Sequence, residues 1–259
     1  MKTTVSADGT LIAYDRYGEG PPVIMAAGAF NTRTTTEPLA QALQEQLSVL
    51  NYDRRGRGDS GDTQPFAARR EYEDLAAVAA AAGGEPPFVF GHSSGAAIAL
   101  RAAAAGMPVA GIVAYEAPFA NDETPPPSTD PTTRIRELVG AGRERDAVIF
   151  WMTDVVHLPE QVTAGLADAP WVTGLEPLAR TLPYDIAVTD GGVPAGELKN
   201  IGAPVLIIGG GNSPAWFRRS VAEQAAAIPG ARLKVLDGYD HNAPPEVLAP
   251  ILAGFFNGG

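Results

Sequence analysis

An apolar run, Phe88-Val89-Phe90, enters the pentapeptide Gly91-His92-Ser93-Ser94-Gly95, and an alanine-rich stretch, Ala96-Ala97-Ile98-Ala99-Leu100, leaves it. No other segment restricts the fold so tightly. The apolar run reads as a buried strand and the alanine-rich stretch as a helix, joined by a sharp turn that carries Ser93. Such a turn lifts a serine hydroxyl clear of a sheet. Gly91 and Gly95 lack side chains, so strand and helix can approach each other around it. The helix opening at the turn also aims its free N–H groups and its dipole at any negative charge near Ser93.

The rest of the chain repeats the alternation. Leu11 to Tyr17 reads as an edge strand, Val23 to Ala27 as a central one, Glu37 to Leu47 as a helix and Ser48 to Tyr52 as a short strand. Tyr72 to Ala82 reads as a helix and Val109 to Tyr115 as another buried strand. At Asn121 the pattern changes to a polar, proline-rich linker, and Arg134 to about Leu182 reads as helical with breaks at Leu158-Pro159 and Ala169-Pro170. The sheet pattern resumes with Pro204 to Ile208, a helix from Ala215 to Ala227, a strand over Leu233 to Leu236 and a closing helix from Pro245 to Phe256. Apolar strands alternating with helices imply an α/β fold with a mainly parallel sheet covered on both faces. The spacing predicts a core of residues 1–120 and 199–259 and an inserted helical cap over 121–198, leaving from the sheet end where open α/β folds bind ligands.

Composition excludes several functions. A net charge of −11 argues against nucleic acid or anionic membranes as partners. With no cysteine among 259 residues, disulfides, thiol catalysis and cysteine-ligated metals drop out. The N-terminus shows no apolar core of signal-peptide length and no apolar run approaches a membrane span, so a soluble, cytoplasmic protein is the expectation. Oligomeric state is not legible.

The chain resembles the α/β-hydrolase superfamily over nearly its whole length. The residues that carry the resemblance are Ala27-Gly28-Ala29-Phe30, where the family usually has a His-Gly loop, Asp53-Arg54-Arg55-Gly56-Arg57-Gly58-Asp59-Ser60 at its second Gly-rich loop, the turn at Ser93, the cap position, and Asp240-His241. The resemblance implies Ser93 as nucleophile and His241 as general base. A serine hydroxyl needs a neighbouring base with a pKa near working pH. Of the other histidines, His92 should point away from the serine side chain by strand alternation, and His157 lies in the cap. The family's usual acid position, after the strand that follows the cap, holds Ser213. A second position, directly after the strand that precedes the cap, is used by haloalkane dehalogenases and zearalenone-type lactonases; here it holds Glu116, the expected triad acid. Asp240 competes by proximity to His241, and Asp185 and Asp190 at the cap exit are weaker options.

Oxyanion donors are expected at the N–H of Ser94 and in the loop after Val23–Ala27, with Ala29 first and Gly28 or Phe30 as neighbours. The Arg54–Ser60 loop lacks Gly-Lys-Ser/Thr and reads as structural rather than phosphate-binding. Phe30, Phe119, Trp151, Met152, Trp171 and Trp216 are expected to line an apolar pocket, with plain core packing as the alternative for each. The expected activity is a cofactor-free, metal-free serine hydrolase acting on a small-molecule carboxylic ester or lactone. C–C bond hydrolases and perhydrolases share the same residue set, and a non-catalytic small-molecule binding protein is the alternative from another class.

Overall fold

The computed structural model describes residues 1–258. Its strands are β1 (Lys2–Val5), β2 (Leu11–Tyr17), β3 (Pro22–Ala26), β4 (Ser48–Tyr52), β5 (Phe88–His92), β6 (Gly111–Tyr115), β7 (Val205–Gly210) and β8 (Arg232–Leu236). Its helices are α1 (Arg33–Leu43), α2 (Ala68–Ala82), α3 (Ser94–Ala104), α4 (Pro131–Gly140), α5 (Glu144–Phe150), α6 (Glu160–Thr163), α7 (Leu182–Thr189), α8 (Ala195–Leu198), α9 (Ala215–Ala227) and α10 (Pro245–Phe256). The strands form one eight-stranded sheet in the order β1-β2-β4-β3-β5-β6-β7-β8. β2 pairs antiparallel with β1 and β4, and every other pairing is parallel. This is the α/β-hydrolase fold.

The central strands β3, β5, β6 and β7 are apolar along nearly their whole length, His92 at the end of β5 being the exception, because both faces are covered. Val23, Met25, Phe90, Val113, Tyr115, Leu206 and Ile208 pack against α1 and α10 on one face. Their neighbours Ile24, Ala26, Val89, Ile112, Ala114, Val205 and Ile207 pack against α2, α3 and α9 on the other. The two sets interleave with the period of two that a pleated strand imposes. From β3 the chain crosses to β4 on one side and returns to β5 on the other. The loops after β3 and β5 therefore splay apart at adjacent strand ends, the crevice where ligands of open α/β sheets bind.

β1 was not legible: Lys2-Thr3-Thr4-Val5 is polar and short, and its pairing makes β2 an interior strand rather than the expected edge. α1 starts at Arg33, four residues before the expected Glu37, on a turn in which the Thr35 hydroxyl accepts the Thr32 N–H at 3.1 Å.

The segment between β6 and β7 contains no strand. α4 is capped by Asp130, whose carboxylate accepts the Thr133 N–H at 2.7 Å, with Pro131 in the first turn. Beyond α5 the expected helix gives way to a π-helical turn, Trp151–Val155, and then to short 3-10 segments at Leu166–Asp168, Pro170–Gly174 and Glu176–Thr181. Prolines at 159, 170, 177 and 183 each remove a helical N–H and keep the runs short. Ile135, Leu138, Val148, Trp151, Val172 and Leu182 belong to a core of the insert's own, against which Ala29 and Phe30 pack. Val188 and Leu198 instead join the core on the α3 face. No helix among the described residues is long and apolar enough to cross a membrane.

Candidate active site

Three strand ends meet at the crevice, and each carries a non-glycine residue in the left-handed region: Phe30 after β3 (φ 60°), Ser93 after β5 (φ 56°) and Glu116 after β6 (φ 51°). Such backbone is costly and persists where the surroundings enforce it. Ser93 is also the N-cap of α3. A Cβ on Gly95 would lie 2.0 Å from the Ala26 carbonyl oxygen, and one on Gly91 2.5 Å from Ala96 Cα, so the two glycines of the pentapeptide are sterically required.

Glu116 is fully buried. Its Oε2 lies 2.8 Å from His241 Nδ1 and its Oε1 accepts the Gly210 N–H at 2.7 Å, so both carboxylate oxygens are engaged. His241 keeps 30 % of its side-chain surface exposed. The loop that carries it is pinned from beneath. His92 Nε2 donates to the His241 carbonyl oxygen at 2.8 Å, and the Tyr115 hydroxyl donates to the Asp240 carbonyl oxygen while accepting the Ala243 N–H at 3.2 Å. Burial, with the His241 ring 4.6 Å away, pushes the His92 pKa down to about 3, so His92 stays neutral. Burial likewise pushes the Tyr115 hydroxyl up.

With its Nδ1–H directed at Glu116, the His241 ring presents Nε2 as a lone-pair acceptor, the form a general base requires. Ser93 Oγ makes no hydrogen bond to any described residue, His241 included. The backbone N–H groups of Ala29 and Ser94 are also without intramolecular partners among the described residues, and so are free to receive an oxyanion.

The rival carboxylates lie elsewhere. Asp240 Oδ1 accepts the Asn242 N–H at 3.0 Å, turned away from the ring beside it. Asp185 Oδ1 accepts the Ser94 hydroxyl at 2.6 Å and is paired with Arg54 and Arg57. Ser213, at the family's usual acid position, is buried with its hydroxyl unpartnered. His157 is half-buried in the insert and bonds to the Pro125 carbonyl oxygen at 2.8 Å.

The expected pocket residues divide. Phe30 and Trp151 meet edge to face at 6.3 Å, and Met152 is buried in the same cluster, so these three sit where the insert covers the β3 loop. Trp216 stacks on Phe217, whose ring lies 5.3 Å from His241; Phe217 is the aromatic at the site that periodicity within a helix gave no reason to single out. Phe119 is a core residue: it is fully buried on the α3 face beneath the Arg101 guanidinium. Trp171 is 54 % exposed, because three residues per turn places Val172 in the insert's core and its neighbour outside. A cavity of about 320 Å³ opens between α1 and α10, lined by Ala27, Asn31, Phe90, His92, His241 and Leu248 among others, and none of the six expected residues borders it.

Comparison with known proteins agrees with this fold. The model of the "Alpha/beta hydrolase family" matches residues 23–250. The crystal structure of an alpha/beta hydrolase from Sphaerobacter thermophilus superposes with a TM-score of 0.93 at 46 % identity, covering 98 % of this chain and 100 % of that one. The enol-lactonase from Burkholderia xenovorans shares the fold, with a TM-score of 0.74 at 20 % identity over 99 % of this chain and 100 % of that one. N-formylmaleamate deformylase from Pseudomonas putida is 36 % identical over 107 residues, 40 % of each chain. The matched segments span well under half the length of the curated relatives.

Proposed function

The chain belongs to the alpha/beta hydrolase family, and from that footing we propose that it is a serine hydrolase cleaving a carboxylic ester or lactone through an acyl-enzyme on Ser93. The observation that carries the reading is the 2.8 Å contact between Glu116 and His241 Nδ1, made by a buried carboxylate from the end of the strand preceding the insert. A carboxylate in that seat fixes the tautomer that leaves Nε2 basic and stabilises the imidazolium once formed.

The steps balance as follows. Ser93 Oγ attacks the carbonyl carbon as its proton passes to His241 Nε2, and the carbonyl π electrons move onto the oxygen, facing the Ala29 and Ser94 N–H groups. The tetrahedral intermediate collapses, the C–O bond to the leaving group breaks, and His241 returns its proton to the departing alkoxide. For a lactone, that alkoxide stays tethered to the acyl group. Water then attacks the acyl-enzyme with His241 again accepting a proton; the second tetrahedral intermediate collapses, the bond between the carbonyl carbon and Ser93 Oγ breaks, and His241 returns the proton to that oxygen as the carboxylic acid leaves. Catalytic hydrogen bonds commonly tighten only with substrate present, which fits an unpartnered Ser93 Oγ. No cofactor enters these steps. The insert acts as a cap, with Phe30, Trp151 and Met152 on its side of the crevice and Phe217 on the imidazole side.

The test is covalent labelling followed by a substrate panel. A fluorophosphonate should modify Ser93 in the native protein and leave Ser93→Ala unmodified, as read by mass spectrometry of the intact and digested chain. Esters and lactones of graded acyl length should then be turned over by the native protein alone. An unlabelled Ser93 together with no turnover across the panel would assign the fold to a binding role instead.

A further inference from the structure

Arg54 and Arg57, both buried, project from the loop after β4 to the underside of the two free amides. Arg57 Nη1 donates to the Gly28 carbonyl oxygen at 2.7 Å, and its Nη2 to Asp185 Oδ2 at 2.7 Å. Arg54 Nη1 donates to Asp185 Oδ1 at 2.7 Å, to Ser94 Oγ at 2.9 Å and to the Ala27 carbonyl oxygen at 3.3 Å. Its Nη2 and Nε engage Glu71 of α2 at 2.7 to 3.2 Å. Ser94 Oγ donates to Asp185 Oδ1 at 2.6 Å. Asp185 belongs to α7, the last long helix of the insert, so one carboxylate from the cap gathers both guanidinium groups and the serine that follows the nucleophile.

The Gly28 carbonyl and the Ala29 N–H are the two ends of one peptide unit. That unit is planar and trans, so its C=O and N–H point in opposite directions. A guanidinium fixed on the oxygen therefore fixes the direction of the N–H, and by polarising the amide makes it a stronger donor. The same carboxylate holds Ser94, whose N–H is the second donor. Close packing adds to this, since a Cβ on Gly28 would lie 2.7 Å from Ser93 Cβ. Packing alone gives no reason for such a cluster, because apolar side chains of similar volume commonly replace buried ion pairs without loss. Arg57 holds this place even though its Nε finds no partner among the described residues.

We infer that Arg57 is a positioning residue that aims the Ala29 amide, and that Asp185 couples this aim to the seating of the cap through Arg57 and Ser94. The inference rests on the reading of Ala29 and Ser94 as oxyanion donors for chemistry at Ser93. On it, the exit helix of the insert and the oxyanion loop move as one unit, and lifting α7 disassembles the oxyanion site.

The experiment compares native protein, Arg57→Met, Arg57→Lys and Ser94→Ala on a p-nitrophenyl ester. It reads kcat and KM separately, the affinity for phenylboronic acid as a tetrahedral anion on Ser93, fluorophosphonate labelling, and thermal unfolding. In Arg57→Met, kcat should fall by about 10- to 100-fold, below the loss known for deleting a whole oxyanion donor. KM should stay within about threefold, boronate affinity should fall in proportion to kcat, and Ser93 should still label to completion. Arg57→Lys should recover part of the loss. Ser94→Ala leaves every charge in place and so decides the matter if Arg57→Met does not fold: kcat and boronate affinity falling together by about fivefold, at constant KM, supports the coupling. Unchanged kcat and boronate affinity in a folded variant would overturn it, as would losses appearing in KM alone. Failure of the native protein to label or turn over would strike the hydrolase reading itself, and is seen before any variant is made.

Discussion

The two sides of Ser93 are built differently. On the imidazole side a single buried carboxylate, Glu116, meets His241, and the remaining supports are neutral: His92, Tyr115 and the Gly210 N–H. On the amide side two guanidinium groups and two carboxylates are locked together with almost no solvent contact. The reason lies in what each side must do in the proposed cycle. His241 gains and loses a proton in every half-reaction, so its surroundings must tolerate both states, and it keeps some contact with water. The amides never change charge. They must only hold still, and a closed set of opposite charges tied by several charge-assisted hydrogen bonds is rigid. One side is thus arranged for a change of charge and the other against any movement.

The largest expected effect tests the lone carboxylate. Glu116→Gln keeps the side-chain shape and can still face His241, yet it loses the charge and can present its amide nitrogen to Nδ1, favouring the wrong tautomer. We expect kcat for a p-nitrophenyl ester to fall by about 10³- to 10⁴-fold, the scale of the equivalent change in a serine triad. The fold should persist, as read by circular dichroism. A loss under about tenfold would mean that the imidazole is oriented by something else, and the contrast between the two sides would lose its first term.

The next effect is on stability and falls on the other side. Asp185→Asn leaves Arg57 buried without its carboxylate, and breaking such a pair costs about 3 to 5 kcal/mol. Asp185 itself is held below its usual carboxylate range by Arg57 and Arg54 despite its burial. Denaturant unfolding should therefore show a large drop for Asp185→Asn and a distinctly smaller one for Glu116→Gln, whose neutral partners impose no unpaired charge. Equal drops would show that the charges on the amide side are no more structural than the single one opposite.

Much of this arrangement was legible before the fold was known, for reasons that can be named. Gly-x-Ser-x-Gly is confined to a short segment, and one of its glycines, Gly91, answers a local contact, with Ala96, while Gly95 answers Ala26 on the neighbouring strand. Glu116 is pointed to by the resemblance, which offers a second acid position one residue beyond the strand preceding the insert once the usual position is seen to hold Ser213; its contact with His241 is what the structure adds. The amide-side cluster was not legible. The Arg54–Ser60 loop reads as structural, but nothing in it names the partners Glu71 and Asp185, which are 17 and 128 to 131 residues away in sequence. Nothing in local spacing ties a charge to a partner on another helix. The insert reads as helical with breaks at Leu158-Pro159 and Ala169-Pro170, because it shows no strand signal; the 3-10 and π turns around those breaks carry no mark of their own in the sequence. The 3-10 period put Trp171 outside.

A third effect concerns pH. The His92 ring titrates near 6.5 in the unfolded chain and at about 3 in the native one. Between those values the unfolded state takes up a proton that the native state refuses, so this group's contribution is complete above pH 6.5 and is lost as pH falls toward 3. Unfolding free energy measured across that window should decline for the native sequence, and the decline should be shallower in His92→Gln, which can still donate to the His241 carbonyl. A slope unaltered by the substitution would assign the acid sensitivity to other groups and remove His92 from the neutral scaffold beneath the imidazole.

The smallest expected effect guards the comparison against its closest rival. Asp240 adjoins His241, and if its carboxylate served the ring, the imidazole side would hold two acids rather than one. Its geometry points the other way. The carboxylate accepts the Asn242 N–H at an exposed position, and only its backbone carbonyl, which the Tyr115 hydroxyl grips, takes part in fixing the loop. Asp240→Asn keeps that carbonyl and retains an oxygen for Asn242, so kcat should change by no more than about twofold and thermal stability by only a degree or two. A tenfold fall in kcat at constant KM would place a second charge behind His241. The sparse side would then resemble the crowded one, and the difference between a group that must change charge and groups that must not would need another explanation.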